Sequence, residues 1–145
     1  MNVMRRPILL PVLGLLLAGS AVGCDTVLRR LLAPDLDEMS GVYKGDWTLR
    51  GPGGGRTRRG GAVDLRLAAL SNDISGNLRI GEDRYSIDGR FKLFSGIEIR
   101  VQGGVFERST RLEGHADCDD YGGCHLTLEG TAPGSGLRIE FRGSK

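Results

Sequence analysis

Aromatic residues make up only 6% of this 145-residue chain, proline occurs five times and cysteine three times. Three cysteines are too few for a disulfide-dense scaffold, and so few rings suggest a modest core. An excess of charge is missing as well. The formal charge of +2 rests on Arg5 and Arg6, and it falls to zero if the first 23 residues are removed. Nothing in that balance calls for a nucleic-acid partner. The apolar stretch from Pro7 to Gly23 is also shorter than the roughly 20 residues a spanning helix needs, and it contains Pro7 and Pro11. That argues against a permanent membrane helix. What the chain has in quantity is glycine, 24 residues of it.

The N-terminus has the parts of a secretory signal: a basic start (MNVMRR), a short apolar stretch, and small residues at its end. The four residues Ala21-Val22-Gly23-Cys24 resemble the lipobox of bacterial lipoproteins. The resemblance implies a signal peptide at residues 1–23, cleavage before Cys24, lipidation (palmitate-type acylation) of Cys24, and a second acylation at the new N-terminus. More than one chain is what stable anchoring requires. It also implies a place in the bacterial cell envelope, held to a membrane and facing the periplasm or the exterior. Ala21 stands where that family usually has Leu, so cleavage after Ala21, read as Gly19-x-Ala21, is the alternative. Residues 24–40 then form a tether. Val27, Leu28, Leu31 and Leu32 share one helical face, Arg29 and Arg30 take the other, and Pro34 ends the pattern.

From Gly41 onward the apolar period is two. GVYKGDWTL sets Tyr43, Gly45, Trp47 and Leu49 against Lys44, Asp46 and Thr48. RYSIDGRFKL sets Tyr85, Ile87, Gly89, Phe91 and Leu93 against Arg84, Ser86, Asp88, Arg90 and Lys92. AVDLRLA, ISGNLRI, IEIRV, TRLEGHADC, CHLTLEG and LRIEF repeat the arrangement. Strict alternation marks half-buried strands, and turn residues separate the runs. The expectation is an all-β domain over residues 41–145: a small antiparallel up-and-down β-barrel, or a strongly curved meander, of about eight strands. Closure removes both sheet edges. The charged face must meet water, which is the reverse of an outer-membrane barrel. Glycines at inward parity (Gly76, Gly89, Gly114, Gly130) suit the bending such a sheet needs.

Gly45-Asp46-Trp47 in the first of these runs resembles the G-x-W opening of the calycin barrels, the lipocalin and avidin group. The resemblance implies a barrel that binds a small apolar ligand. It also implies an arginine of the last strand, Arg138 or Arg142, lying across Trp47. The inward aromatics Tyr43, Trp47, Tyr85, Phe91 and Phe141 then face a ligand or form the core. An eight-stranded barrel has room for its own side chains or for one small ligand, so both readings stay open.

Two further stretches carry chemistry. In HADCDDYGGCH, residues 115–125, a hairpin with Cys118 opposite Cys124 predicts a disulfide in an exported protein. The same register puts Asp117 opposite His125, with His115 on the same face. These three are the metal-ligand alternative, against an ordinary solvated face. The loop does not fit an EF-hand, since the twelfth position from Asp117 is Leu128. In LRGPGGGRTRRGG, residues 49–61, Arg50, Arg56, Arg58 and Arg59 read as a flexible basic loop, with contact to anionic lipid or a protein partner as the sharper reading. No nucleophile with a positioned base, no raised-pKa carboxylate pair and no cofactor motif is legible. The sequence therefore favours a lipid-anchored, non-catalytic interaction or structural module. Calycin-like ligand binding is the alternative.

Overall fold

The structure is a computed structural model, and it describes residues 36–145 except 69, 70, 93–95 and 105. The expectations on the signal peptide, Cys24 and the tether up to residue 35 lie outside the described residues. A single turn of helix, α1 (Leu36–Met39), precedes eight strands: β1 (Gly41–Arg50), β2 (Arg56–Leu67), β3 (Asp73–Ile80), β4 (Asp83–Phe91), β5 (Gly96–Gly103), β6 (Phe106–Cys118), β7 (Cys124–Thr131) and β8 (Arg138–Ser144). Each strand pairs antiparallel with the next, and β1 pairs with β8, so the sheet closes into an up-and-down barrel. Among the described residues no helix is long and apolar enough to cross a membrane.

The period-two pattern places the side chains as the alternation predicts. Tyr43, Trp47 and Leu49 of β1 are buried, whereas Lys44 and Arg50 are exposed. Inside, Ile74, Leu78, Ile80, Ile97, Ile99 and Leu112 pack with Trp47, Tyr43, Phe106 and Phe141, all at 2% exposure or less. Full burial of one such side chain contributes about 1.5–3 kcal/mol, so this interior is the main source of stability. Tyr85 and Phe91 are partly buried and pack against the same cluster. Every buried side-chain polar atom among the described residues has a hydrogen-bond partner.

The two ends of the barrel differ. We call the end where the chain arrives the base. There α1 sends Met39 into the core at 0% exposure, and the Tyr43 hydroxyl donates to the Met39 carbonyl at 2.6 Å. Ser40 fastens the same turn: its Oγ accepts from the Leu67 N–H at 3.1 Å, and its carbonyl accepts from Lys145 Nζ at 2.6 Å. Core packing therefore begins before the first strand. The opposite end, the rim, carries the β1–β2, β3–β4, β5–β6 and β7–β8 turns. A Cβ at Gly136 would lie 3.9 Å from Pro52, so the first and last rim turns are neighbours.

One stretch departs from the sequence reading. The basic loop expected over residues 49–61 is largely strand: only Gly51–Gly55 turn, and Arg56–Gly61 pair with β1. The turn closes through Gly51 N–H to the Gly55 carbonyl at 2.9 Å, with Gly54 at φ 86°. Residues 56–60 are exposed at both parities. This part of β2 runs past the end of β3, whose pairing begins at Gly61, so it is flanked by β1 alone and both its faces meet solvent.

Candidate functional site

The barrel interior is the first candidate, and its aromatics are packed against one another. Trp47 and Phe141 are register partners on β1 and β8, with ring centroids 4.7 Å apart. The indole N–H donates to the Arg79 carbonyl at 2.9 Å, and the ring lies against the Gly61 backbone, leaving no space for a Cβ there. The arginine implied by the calycin resemblance is not across this ring. Arg138 and Arg142 point outward from β8, and Arg142 pairs with Glu140 at 2.7 Å. The alternation decides this: Phe141 has Trp47's inward parity, and the arginines have the other. Burial pushes the Tyr43 hydroxyl up to about 12.

At the base, Cys118 and Cys124 form a disulfide with Cα atoms 4.0 Å apart. The Asp119 N–H donates to the Gly123 carbonyl one step along the ladder, which leaves the cysteines in the close, non-hydrogen-bonded pairing. Asp119 Oδ1 accepts from the N–H groups of Tyr121 and Gly123, shaping the turn and leaving the Tyr121 ring 98% exposed at its tip. The Cys124 sulfur lies 3.4 Å from the Glu38 carbonyl oxygen, so this hairpin abuts α1.

On the outer face Asp117 is opposite His125, as the register predicted, and His115 Nε2 lies 3.3 Å from Asp117 Oδ2. Both partners of that contact are more than half exposed, which is the solvated-face arrangement. Among the described residues no group of three His, Cys, Asp or Glu is placed to hold a metal ion. Nearby, Lys92 bridges Glu98 at 2.7 Å and Glu113 at 3.5 Å, and Arg111 reaches Glu98 at 3.4 Å. Its bond to Glu98 holds the Lys92 ammonium above its usual range, and the same bond holds the Glu98 carboxyl below its own.

The rim is where the tertiary structure adds most. Register sets Arg56, Arg50 and Arg138 side by side on β2, β1 and β8. Like charges directly opposite one another are destabilising, so this row is unfavourable unless an anion or water screens it. Arg138 reaches Glu129 at 3.7 Å and Arg58 reaches Asp46 at 2.6 Å. Arg50, Arg56 and Arg59 form no ion pair among the described residues. Of the expected cluster, Arg50, Arg56 and Arg58 thus share the outer face of the hairpin, with Arg138 joining them from the far end of the chain, whereas Arg59, opposite Trp47, has the other parity.

A depression of about 640 Å³ opens in the wall between β4, β5 and the start of β6, lined among others by Arg84, Tyr85, Ser86, Arg100, Gln102 and Ser109. Of these only Tyr85 was singled out from the sequence. The Gly103-Gly104 doublet was the available signal, marking a turn where the strands could part. Neither a scan against protein-family models nor a search of curated proteins finds a match for this chain.

Proposed function

We propose that the chain is a lipid-anchored envelope protein whose barrel is a filled, non-catalytic interaction module. The observation that carries this reading is the packed interior. Trp47, Tyr43, Phe106 and Phe141 are all buried to 0% exposure and interlock with aliphatic side chains. A calycin-like container needs volume in the same place, and an eight-stranded barrel filled by large side chains has little to offer a ligand. Function then falls to the outside, where the sequence reading also placed it: the rim arginines for an anionic lipid or protein partner, and the polar walls. The anchor rests on the lipobox resemblance at Cys24, and the oxidised Cys118–Cys124 pair fits an exported protein.

Two measurements test the reading. Intact mass of membrane-extracted protein should give a chain beginning at Cys24 with acyl mass, and Cys24→Ala should leave unprocessed or released protein. A mature N-terminus at Val22 without lipid would refute the anchor. Native mass spectrometry of gently purified protein should show no co-purifying small apolar molecule. A stoichiometric one would favour the calycin-like container instead.

A further inference from the structure

Strand β4 has a partner on both sides for only part of its length. It pairs with β3 from Asp83 to Arg90, but with β5 only from Ile87 to Phe91. Toward the rim, β5 has turned away. Its pairing with β6 shifts register between Val101 and Gly103, and Gly103 and Gly104 take φ values of 98° and 53°. Bulges of this kind end pairing at barrel rims. The Tyr85 ring, edge-on to Phe106 at 5.1 Å, sits so close to Gly104 that a side chain there would strike it. A fork results, and the depression described above fills it.

The phase of the ladder tells which backbone groups face that fork. The Phe91 N–H donates to the Asn72 carbonyl, toward β3, and the Lys92 N–H donates to the Gly96 carbonyl, toward β5. Successive residues of a strand alternate in this respect. Arg84 and Ser86 share the phase of Lys92, and the β3–β4 register is regular throughout. Beyond Ile87↔Val101, the last register pair of β4 with β5, the N–H and C=O of Arg84 and the N–H of Ser86 therefore point into the fork, while the Ser86 carbonyl still faces Gln102 of β5. This is a short free edge at the rim, where Arg56–Gly60 of β2 and Phe106–Leu112 of β6 likewise run past the register pairs of one neighbour. The side chains around it are polar: Arg84 and Arg100 have no ion-pair partner among the described residues, Ser86, Ser109 and Gln102 add neutral groups, and Asp88 is the one carboxylate in the lining.

We propose that this fork is a binding site for an extended acidic segment of a partner protein, which adds as a short strand along Asp83–Ser86. The proposal rests on the reading of the barrel as an interaction module and names its partner. A free strand edge is satisfied by another strand, whose main-chain hydrogen bonds give affinity while alternate side chains give selectivity. Two unpaired guanidinium groups beside the edge select carboxylates, which they bind in fork geometry. Four edge residues extend about 13 Å, enough for a ligand core of three to five residues. A small apolar molecule does not fit a lining of this polarity.

The test uses full-length protein in detergent and two acetylated hexapeptide probes, one alternating Glu and Thr, the other alternating Lys and Thr. Hydrogen exchange of the Arg84 and Ser86 amides is followed up to millimolar peptide, with affinity read by calorimetry. The Glu-Thr probe should slow exchange at both amides and bind about tenfold or more tightly than the Lys-Thr probe. Ser86→Pro removes a donor aimed at the fork without taking one from the β3–β4 ladder, and Arg84→Glu reverses the charge. Each should weaken the Glu-Thr probe about tenfold. If the proline variant does not fold, a Glu-Thr probe N-methylated at alternate residues removes the same hydrogen bonds from the other side.

Unchanged exchange at Arg84 and Ser86 would overturn the proposal, as would binding indifferent to N-methylation. Equal binding of free glutamate, which makes the site a small-anion site only, would overturn it too. A co-purifying apolar molecule in native mass spectrometry counts against the filled-module reading, and exchange at the fork is read independently of it.

Discussion

Truncating Trp47 measures whether the barrel is filled. In the structure the indole is fully buried, lies 4.7 Å from Phe141 by ring centroid, abuts the Gly61 backbone and donates to the Arg79 carbonyl. Trp47→Ala removes the ring from a site whose walls belong to four strands and cannot collapse far. The expected cost is about 3–5 kcal/mol, against total stabilities of about 5–15 kcal/mol for domains of this kind. Trp47→Phe keeps most of the packing but loses the indole donor, for about 1–2 kcal/mol. Because Trp47 is the only tryptophan, urea unfolding should be followed by far-ultraviolet circular dichroism rather than by fluorescence. An unchanged denaturant slope would show that the native and unfolded states keep their compactness. A hollow barrel behaves differently, since a ring facing ligand space or cavity water has fewer contacts to lose. A Trp47→Ala cost below about 1 kcal/mol, with slope and spectrum preserved, would refute the packed-interior argument and with it the preference for a module over a container.

Three other outcomes follow from named contacts. Replacing Cys118 and Cys124 together by Ala should cost about 2 kcal/mol, the chain-entropy value for so short a closed loop, and should speed amide exchange in β6 and β7 without dissolving the barrel. No change in exchange, or complete unfolding, would contradict this. The Tyr43 hydroxyl, held up to about 12 in the fold from a usual 10.0, stays protonated where the unfolded chain ionises. Its contribution is complete below pH 10 and is lost between pH 10 and 12, amounting to about 2–3 kcal/mol. The urea midpoint of wild type should therefore fall more steeply over that window than that of Tyr43→Phe, and parallel curves would refute it. Gly114→Ala should destabilise by several kcal/mol, since a Cβ there runs into the Thr127 carbonyl and the β6–β7 pairing must give way. A melting temperature within about 3 °C of wild type would disprove the close approach.

The residue pattern alone determined the inner and outer faces of the strands, because a period of two leaves no freedom once one face must be buried. It likewise determined the facing of Cys118 and Cys124 and of Asp117 and His125, since a five-residue turn sets the register of its hairpin. Those are local matters, and local sequence contains them. Closure of β1 on β8 is not local, and only the tertiary structure set Arg138 beside Arg50, almost ninety positions away, and made Phe141 the register partner of Trp47, although the alternation in β8 already turned its arginines outward. The strand nature of Arg56–Gly61 was hidden for a related reason: past the end of β3 both faces of β2 are solvated, so pairing leaves no hydropathy signature. Met39 joins the core because the base of a closed barrel needs a stopper, a demand no single strand expresses. The fork between β4 and β5 depends on a register shift in one strand and a bulky ring in another. Its free edge is a property of the space between them, which neither run of residues encodes by itself.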